Sequence, residues 1–316
     1  MRQGKIPVKR RLIQLASALI YNAHLKGFGE GTIYQGSLKG VCVPGLNCYS
    51  CPGAVAACPL GSLQSAIGSI RGNLPLYVLG LLILFGLFLG RLICGFLCPF
   101  GLIQELLHKI PGPKIRKNRI TRVLSYTKYV ILVIFVIYLP LYYGYTKGYP
   151  LPAFCKYICP AGTLEGGIPL TAADPSLRMM LGALFSWKVA LMLGILTASV
   201  FLYRFFCRFL CPLGAIYSLF AGVSLFGIQV KEEKCTRCGK CVRQCQMDVK
   251  KVGDRECIQC GECRDVCAFD AISWKKTLER FRTGEKVSPE GAKTAKTEKG
   301  GAKQPVKTEA GKSGSI

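Results

Sequence analysis

Long runs without charge dominate the pattern of this chain. Charge is absent from 72 to 90 (GNLPLYVLGLLILFGLFLG) and from 129 to 146 (YVILVIFVIYLPLYYGYT), and between 179 and 203 the one charge is Lys188. Each run approaches the ~20 residues that cross ~30 Å of hydrocarbon, and buried helices of a soluble domain are seldom so long. A fourth apolar stretch, RLIQLASALIYNAHL (11–25), follows the basic segment MRQGKIPVKRR. A signal peptide would need a small-residue cleavage site, which does not clearly follow, and an interfacial helix is a fair rival. Charge bias favours a span. The segment 108–128 carries seven Lys/Arg and no acid, and residues 2–11 carry five, so both belong on the cytoplasmic side. The run at 74–93 then begins outside, and only 11–25 is available for the crossing before it. The expectation is four spans with both ends inside. LGAIYSLFAGVSLFGI (213–228) is uncharged but short, and reads as lying along the inner face.

Composition agrees. Of 316 residues, 50% are hydrophobic, more than an ordinary soluble domain carries. The net charge of +25 could suggest nucleic acid, but it largely flanks the apolar runs, where topology and anionic lipid explain it. Nucleic acid is therefore not an expected partner. From about Thr283 the chain is rich in Lys, Gly, Ala, Thr and Glu, has no aromatic residue, and reads as a disordered basic tail over 283–316. Three parts result: a membrane domain over 1–228, a cysteine-rich module over 229–276, and the tail. The expected class is an all-α polytopic membrane protein with an internal two-fold repeat, followed by a small α+β module.

Eighteen cysteines fall in three groups. KCTRCGKCVRQC carries Cys235, Cys238, Cys241 and Cys245, and ECIQCGECRDVC carries Cys257, Cys260, Cys263 and Cys267. The spacing C-x2-C-x2-C-x3-C is the bacterial ferredoxin run, in which the fourth cysteine serves the other cluster. Cys235, Cys238, Cys241 and Cys267 are thus assigned to one 4Fe-4S cluster, and Cys257, Cys260, Cys263 and Cys245 to a second. Zinc also accepts four thiolates, but two copies at this spacing favour clusters. The proline usual after the fourth cysteine is Gln246 in one run and Ala268 in the other.

The second group lies in GRLICGFLCPFGLIQE (90–105) and YRFFCRFLCPLGAIYS (203–218), which match at 8 of 16 positions. Residues i and i+4 share a helix face, so Cys94/Cys98 and Cys207/Cys211 each present two thiolates, and together four. Proline is expected to stop each helix, and glycine to allow a sharp turn. Arg91 and Arg204 could offset the charge of an inner-face cluster. Packing cysteines are the plainer alternative.

The third group, expected on the outer face, comprises Cys42, Cys48, Cys51 and Cys58, then Cys155 and Cys159. Both segments end in C-P-x-G-x-L-[Q/E], which suggests that the chain is a duplication. Six cysteines in an oxidising compartment could instead form three disulfides. One or two clusters beyond the ferredoxin pair are therefore expected.

Paired C-x3-C-P motifs at membrane ends, followed by a double ferredoxin run, resemble the membrane polyferredoxins of the NapH, NosR and CcoG type over roughly residues 10–275. The resemblance implies four or more spans, 4Fe-4S clusters and electron transfer across or along the membrane. The expected role is an electron-transfer subunit of the plasma membrane, relaying single electrons from the ferredoxin pair to the inner-face cluster and on to the outer cysteines. Its candidate partners are a reductase, flavoprotein or ferredoxin; clusters at two membrane faces are too far apart for fast direct transfer, so either they sit deep or a quinone or partner cofactor bridges them. No flavin domain is evident, and no general base or nucleophile constellation supports bond-making catalysis. CcoG-like members suggest an alternative, copper reduction for metalloenzyme assembly; a redox sensor is a third reading. Haem is not expected, because the two histidines, His24 and His108, fall on opposite sides.

Overall fold

Proline begins helices here rather than ending them. The computed structural model describes residues 8–69 and 76–275, with the side chains of residues 8 and 9 excepted. In it Cys58, Cys98 and Cys211 each hold an extended conformation at a helix N-cap, with Pro59, Pro99 and Pro212 in the first turn of Pro59–Gly68, Pro99–Leu107 and Pro212–Leu219. The first helical position has no hydrogen bond for its N–H to make, so proline costs nothing there. The preceding helices, Leu92–Phe96 and Phe205–Phe209, are one turn long. Each C-x3-C pair therefore straddles a helix–helix junction instead of lying on one continuous face.

Two helices are long and apolar enough to cross a membrane among the described residues: Arg119–Lys147, of 29 residues, and Ala183–Phe201, of 19. The first contains a π-helical stretch, Leu132–Tyr138. The run at 72–90 gives helix Leu76–Phe88, of 13 residues, and what precedes Leu76 lies outside the described residues. Helix Val8–Tyr21 has 14 residues, a rise of about 21 Å. Its start is tied down by Arg10, which donates to Glu105 and Glu262. Just past its end, Asn22 donates to Asn47 at 3.0 Å. It thus runs from the ferredoxin module to the loop of the third cysteine group. Segment 213–228 forms a short, largely buried helix and no span.

One apolar core gathers Leu46, Phe100, Phe154, Phe206 and Tyr217 together with Cys58, Cys98, Cys159, Cys207 and Cys211. The module closes through an antiparallel pair, β1 (Ile228–Val230) and β2 (Ile272–Trp274), in the register Val230 opposite Ile272. All described residues belong to one compact unit, Met1–Thr277; a second unit, Leu278–Ile316, lies outside them, and with it the expected tail at 283–316.

Candidate metal centres

The ferredoxin runs fold as a matched pair. Arg237 and Gln259, each two residues into its run, take positive φ, as do Gly239 and Gly261 after the second cysteine. Such turns curl the backbone around a centre. Cys245 sits in a cavity lined also by Cys257, Cys260 and Cys263, the residues expected to share the second cluster, and by Cys241, expected in the first. Burial pushes the Cys245 thiol up to about 11 and the Cys263 thiol to about 12, and in both neighbouring cysteines add to the shift. Of the first expected set, Cys235 follows Val230 by five residues and Cys267 precedes Ile272 by five, so both leave the same end of the paired strands.

The two C-x3-C pairs converge. Cys98, Cys207 and Cys94 lie within one another's electrostatic range, and Cys211 feels all three. Burial, and then Cys207 and Cys94, push the Cys98 thiol up to about 12. The motif glycines mediate close approach rather than a turn. A Cβ on Gly101 would lie 3.3 Å from the Arg204 guanidinium, and one on Gly214 would lie 3.6 Å from Arg91. Each glycine receives the arginine of the other motif.

Both arginines are fully buried, and both are paired. Arg91 donates to Glu256 at 3.0 Å and to the Arg255 carbonyl at 2.7 Å. Arg204 donates to Glu105 at 2.8 Å and to the Cys94 carbonyl. The Nε and one terminal nitrogen of Arg91 are buried without a hydrogen-bond partner among the described residues. Such donors suit an anionic occupant, since an orphan buried cation donor costs about 1–3 kcal/mol or more.

The third group also converges, with Cys48, Cys58, Cys155 and Cys159 acting on one another. Cys159 feels Cys155, Cys48 and Cys58; Cys48 feels Cys155, and Cys155 feels Cys58. Burial pushes Cys48 and Cys155 up to about 12 and Cys58 to about 11. Cys51 lies beside Cys48, and Cys42 meets Ser62 instead. All eighteen cysteines are free thiols. A Cβ on Gly61 would touch Cys155 Sγ at 3.8 Å, and one on Gly162 would touch Cys48 Sγ at 3.7 Å and Lys188 Nζ at 3.9 Å. Lys188, the lone charge of its helix, thus faces this site, and Lys39 faces Cys51 and Cys48.

Sequence reasoning missed the residue six places after the proline-linked cysteine. Gln104 donates its amide to Cys207 Sγ at 3.0 Å and accepts from the Phe206 N–H at 2.9 Å. Gln64 donates to Cys155 Sγ at 3.3 Å and accepts from the Phe154 N–H at 2.9 Å. Glu165 occupies the corresponding place and accepts from the Cys48 N–H at 2.8 Å. The recurring [Q/E] was visible; its partner, 91 to 117 residues away, was not.

The two membrane-domain sets adjoin instead of lying a membrane's width apart. The Leu46 amide reaches Cys98, and the next amide, Asn47, reaches Cys58. Tyr217 lies within range of Cys58 on one side and of Cys94, Cys98 and Cys211 on the other. Cys94 also packs against the buried cluster of Tyr203, Cys257 and Ile258 at the ferredoxin interface, and a Cβ on the adjoining Gly95 would meet the Ile258 carbonyl.

These donor sets fit iron–sulfur clusters. Among the described residues no three Cys, His, Asp or Glu side chains converge tightly enough for a single metal ion, as four thiolates at ~2.3 Å from zinc would. A cuboidal cluster is larger and takes thiolates spread about its corners. Buried thiols with raised pKa lose their protons on binding it, and cations stand beside each membrane-domain set.

Comparison with known proteins agrees. A model described as a 4Fe-4S binding domain matches residues 72–118, 129–168 and 185–230, and a second of the same description matches 228–251. The uncharacterized protein MJ0750 of Methanocaldococcus jannaschii is 29% identical over 198 residues, 60% of this chain and 70% of that one. The putative electron transport protein YccM of Escherichia coli is 28% identical over 197 residues, 58% of this chain and 51% of YccM. The regulatory protein NosR of Pseudomonas aeruginosa is 28% identical over 158 residues, 49% of this chain and 20% of NosR. No solved structure matches the chain. Its 4Fe-4S domains and its relatives together place this chain in the membrane polyferredoxin family of iron–sulfur electron-transport proteins.

Proposed function

We propose that this protein carries single electrons along a line of four thiolate sites, each built for a 4Fe-4S cluster. The order is Cys235/Cys238/Cys241/Cys267, Cys257/Cys260/Cys263/Cys245, Cys94/Cys98/Cys207/Cys211 and Cys48/Cys58/Cys155/Cys159. The observation that carries the reading is contact between successive sites. Cys94 packs against the cluster of Cys257 and Ile258, a Cβ on Gly95 would meet the Ile258 carbonyl and lie 3.9 Å from the Cys260 N, and the loop of Gly45 and Leu46 lies against Cys98. A bound 4Fe-4S cluster supplies one-electron redox chemistry. The chain's own part is to hold the sites adjacent, exclude water with Phe100, Phe154 and Phe206, and set cations and amide donors against the sulfurs. No quinone is needed to bridge the two membrane-domain sites.

The same reading includes four crossings of the plasma membrane, at 11–25, 74–93, 129–146 and 179–203, with both ends inside. The halves repeat as span, outer cysteine loop, span and inner cysteine pair. The matching places of Gln64 and Glu165, each six residues after its Cys-Pro cysteine and each hydrogen-bonded to a cysteine of the other half, support the repeat. A redox enzyme or carrier outside the membrane accepts the electron.

Anaerobic iron analysis with EPR tests the proposal. Protein with all four sites filled holds about sixteen iron, four per cysteine tetrad. Cys159→Ala is expected to lose about four of these, and Cys42→Ala none. Eight iron in fully reconstituted protein would leave the membrane-domain sites without clusters and end the four-site reading.

A further inference from the structure

The two ferredoxin runs match in their cysteines and are opposite in their charges. With Cys235 aligned on Cys257, Lys234 stands where the second run has Glu256, Lys240 where it has Glu262, and Arg243 where it has Asp265. Two of the acids of the second run are used inside the molecule. Glu256 pairs with Arg91 at 3.0 Å and with Lys128 at 2.5 Å, and Glu262 pairs with Arg10 at 3.2 Å. The acidic run is thus the face by which the module sits on the basic membrane domain.

The bases of the first run have no such use. Lys231, Lys234, Arg237, Lys240 and Arg243 are exposed, and none is ion-paired among the described residues. Among them Arg243 lies within electrostatic range of Cys238, the one exposed cysteine of the eighteen, the Lys240 amide reaches its sulfur, and Arg237 precedes it directly in the chain. Arg243 lies over Gly239, 3.7 Å from where its Cβ would be, directly beside Cys238. Glu232 and Glu233 are the only acids of that segment. Unpaired charge of one sign around an exposed redox ligand steers an oppositely charged partner and raises its on-rate by roughly 10- to 1,000-fold.

We propose that this basic face docks a soluble one-electron carrier protein with an acidic surface around its own cofactor, and that electrons enter the chain at the Cys238 side. This rests on the relay reading above. One electron leaves the reduced carrier and one enters the site of Cys235, Cys238, Cys241 and Cys267; no proton moves and no bond changes. A lipid surface is the competing use of such a patch, but these cations flank a redox ligand rather than the end of a span.

The test uses the full chain in phosphatidylcholine nanodiscs and a reduced acidic ferredoxin as probe, mixed by stopped flow. The parent is expected to be reduced fast at low salt and more slowly as salt rises. The variant K234Q/K240Q/R243Q is expected to be reduced at least about tenfold more slowly, with a flattened salt dependence. Charge reversal, K234E/K240E/R243E, should be slower still and should accelerate exchange with a basic carrier, cytochrome c. Removing the charges of Lys26 and Lys147 should change nothing. Photoreduced deazaflavin, a small neutral reductant, should reduce parent and variants alike, which shows that their clusters are intact. Equal ferredoxin rates in parent and variant overturn the docking proposal. A variant altered only in retention on phosphatidylglycerol vesicles overturns it too, and marks a lipid surface. If deazaflavin reduces the ferredoxin sites but the membrane-domain sites stay oxidised, the relay reading fails instead.

Discussion

At the residue scale the amide donors to sulfur decide the most. Gln104 and Gln64 each give an N–H to a cysteine sulfur, at 3.0 and 3.3 Å, while the same side chain's oxygen accepts from the preceding residue's backbone. A donor to cluster sulfur favours the more negative, reduced state, so its loss lowers the potential. Gln104→Leu is expected to lower the potential of the Cys94/Cys98/Cys207/Cys211 site by tens of millivolts, against ~59 mV for a tenfold change in a one-electron equilibrium. Gln64→Leu should act only on the other membrane-domain site. Redox titration monitored by EPR separates the two, and unchanged potentials would assign the glutamines to packing alone. Glu105 is the second residue of consequence. Burial alone would raise its carboxyl, but Arg204 and Arg10 hold it below the ordinary range. A depressed folded pKa gives stability that is present above the unfolded value near 4.5 and is lost as pH falls through the folded one. Glu105→Gln would leave Arg204 buried without a carboxylate and Arg10 with Glu262 alone, at a cost of roughly 3–5 kcal/mol. Thermal denaturation should show that loss at neutral pH, with a smaller difference from the parent under strong acid. The cysteines themselves were legible because ferredoxin spacing is local. Gln104 was not, because its meaning depends on Cys207, which lies 103 residues further on.

Elements were legible where one physical cause dominates. Absence of charge over 129–146, and a single charge, Lys188, over 179–203, marked the helices Arg119–Lys147 and Ala183–Phe201. Proline was ambiguous, since it can break a helix or begin one, and only the fold shows Pro99 and Pro212 at helix starts. Small residues were silent as well. Gly144, near the end of the first long helix, packs its backbone on the carbonyl of Gly68, the last residue of helix Pro59–Gly68. That crossing leaves no room for a Cβ, and overpacking of this kind costs about 1–3 kcal/mol. Because Pro59–Gly68 starts at Cys58, Gly144→Ala should lower thermal stability and broaden the EPR signal of the Cys48/Cys58/Cys155/Cys159 site. The ferredoxin signals should stay as they are. A change in all signals alike would mean that the helix acts on the whole fold and not on one site.

At the scale of the whole molecule, adjacency of the sites is the property that the sequence concealed. Counting spans puts the third cysteine group outside and the second inside, with hydrocarbon between. The fold instead lays the loop carrying Gly45, Leu46 and Asn47 against Cys98, a Cβ on Gly45 lying 3.3 Å from the Cys98 Cα, and Tyr217 lies within range of both sets. The Cys94/Cys98/Cys207/Cys211 site thereby becomes the middle of the line, touching the ferredoxin module through Cys94 and the last site through Cys98. Two consequences can be measured on the same variants. Ligands of one object act as a unit, so Cys98→Ala and Cys211→Ala should each remove the same EPR signal, and the double change should do no further harm. With the middle site gone, electrons delivered to the ferredoxin clusters should stay there, and the Cys48/Cys58/Cys155/Cys159 signal should appear only with a reductant that reaches it directly. Rapid-freeze EPR after mixing with a ferredoxin-side donor distinguishes the outcomes. If the last site fills as fast in the variants as in the parent, electrons bypass the middle site, and the line of contacts through Cys94 and Leu46 is not the route.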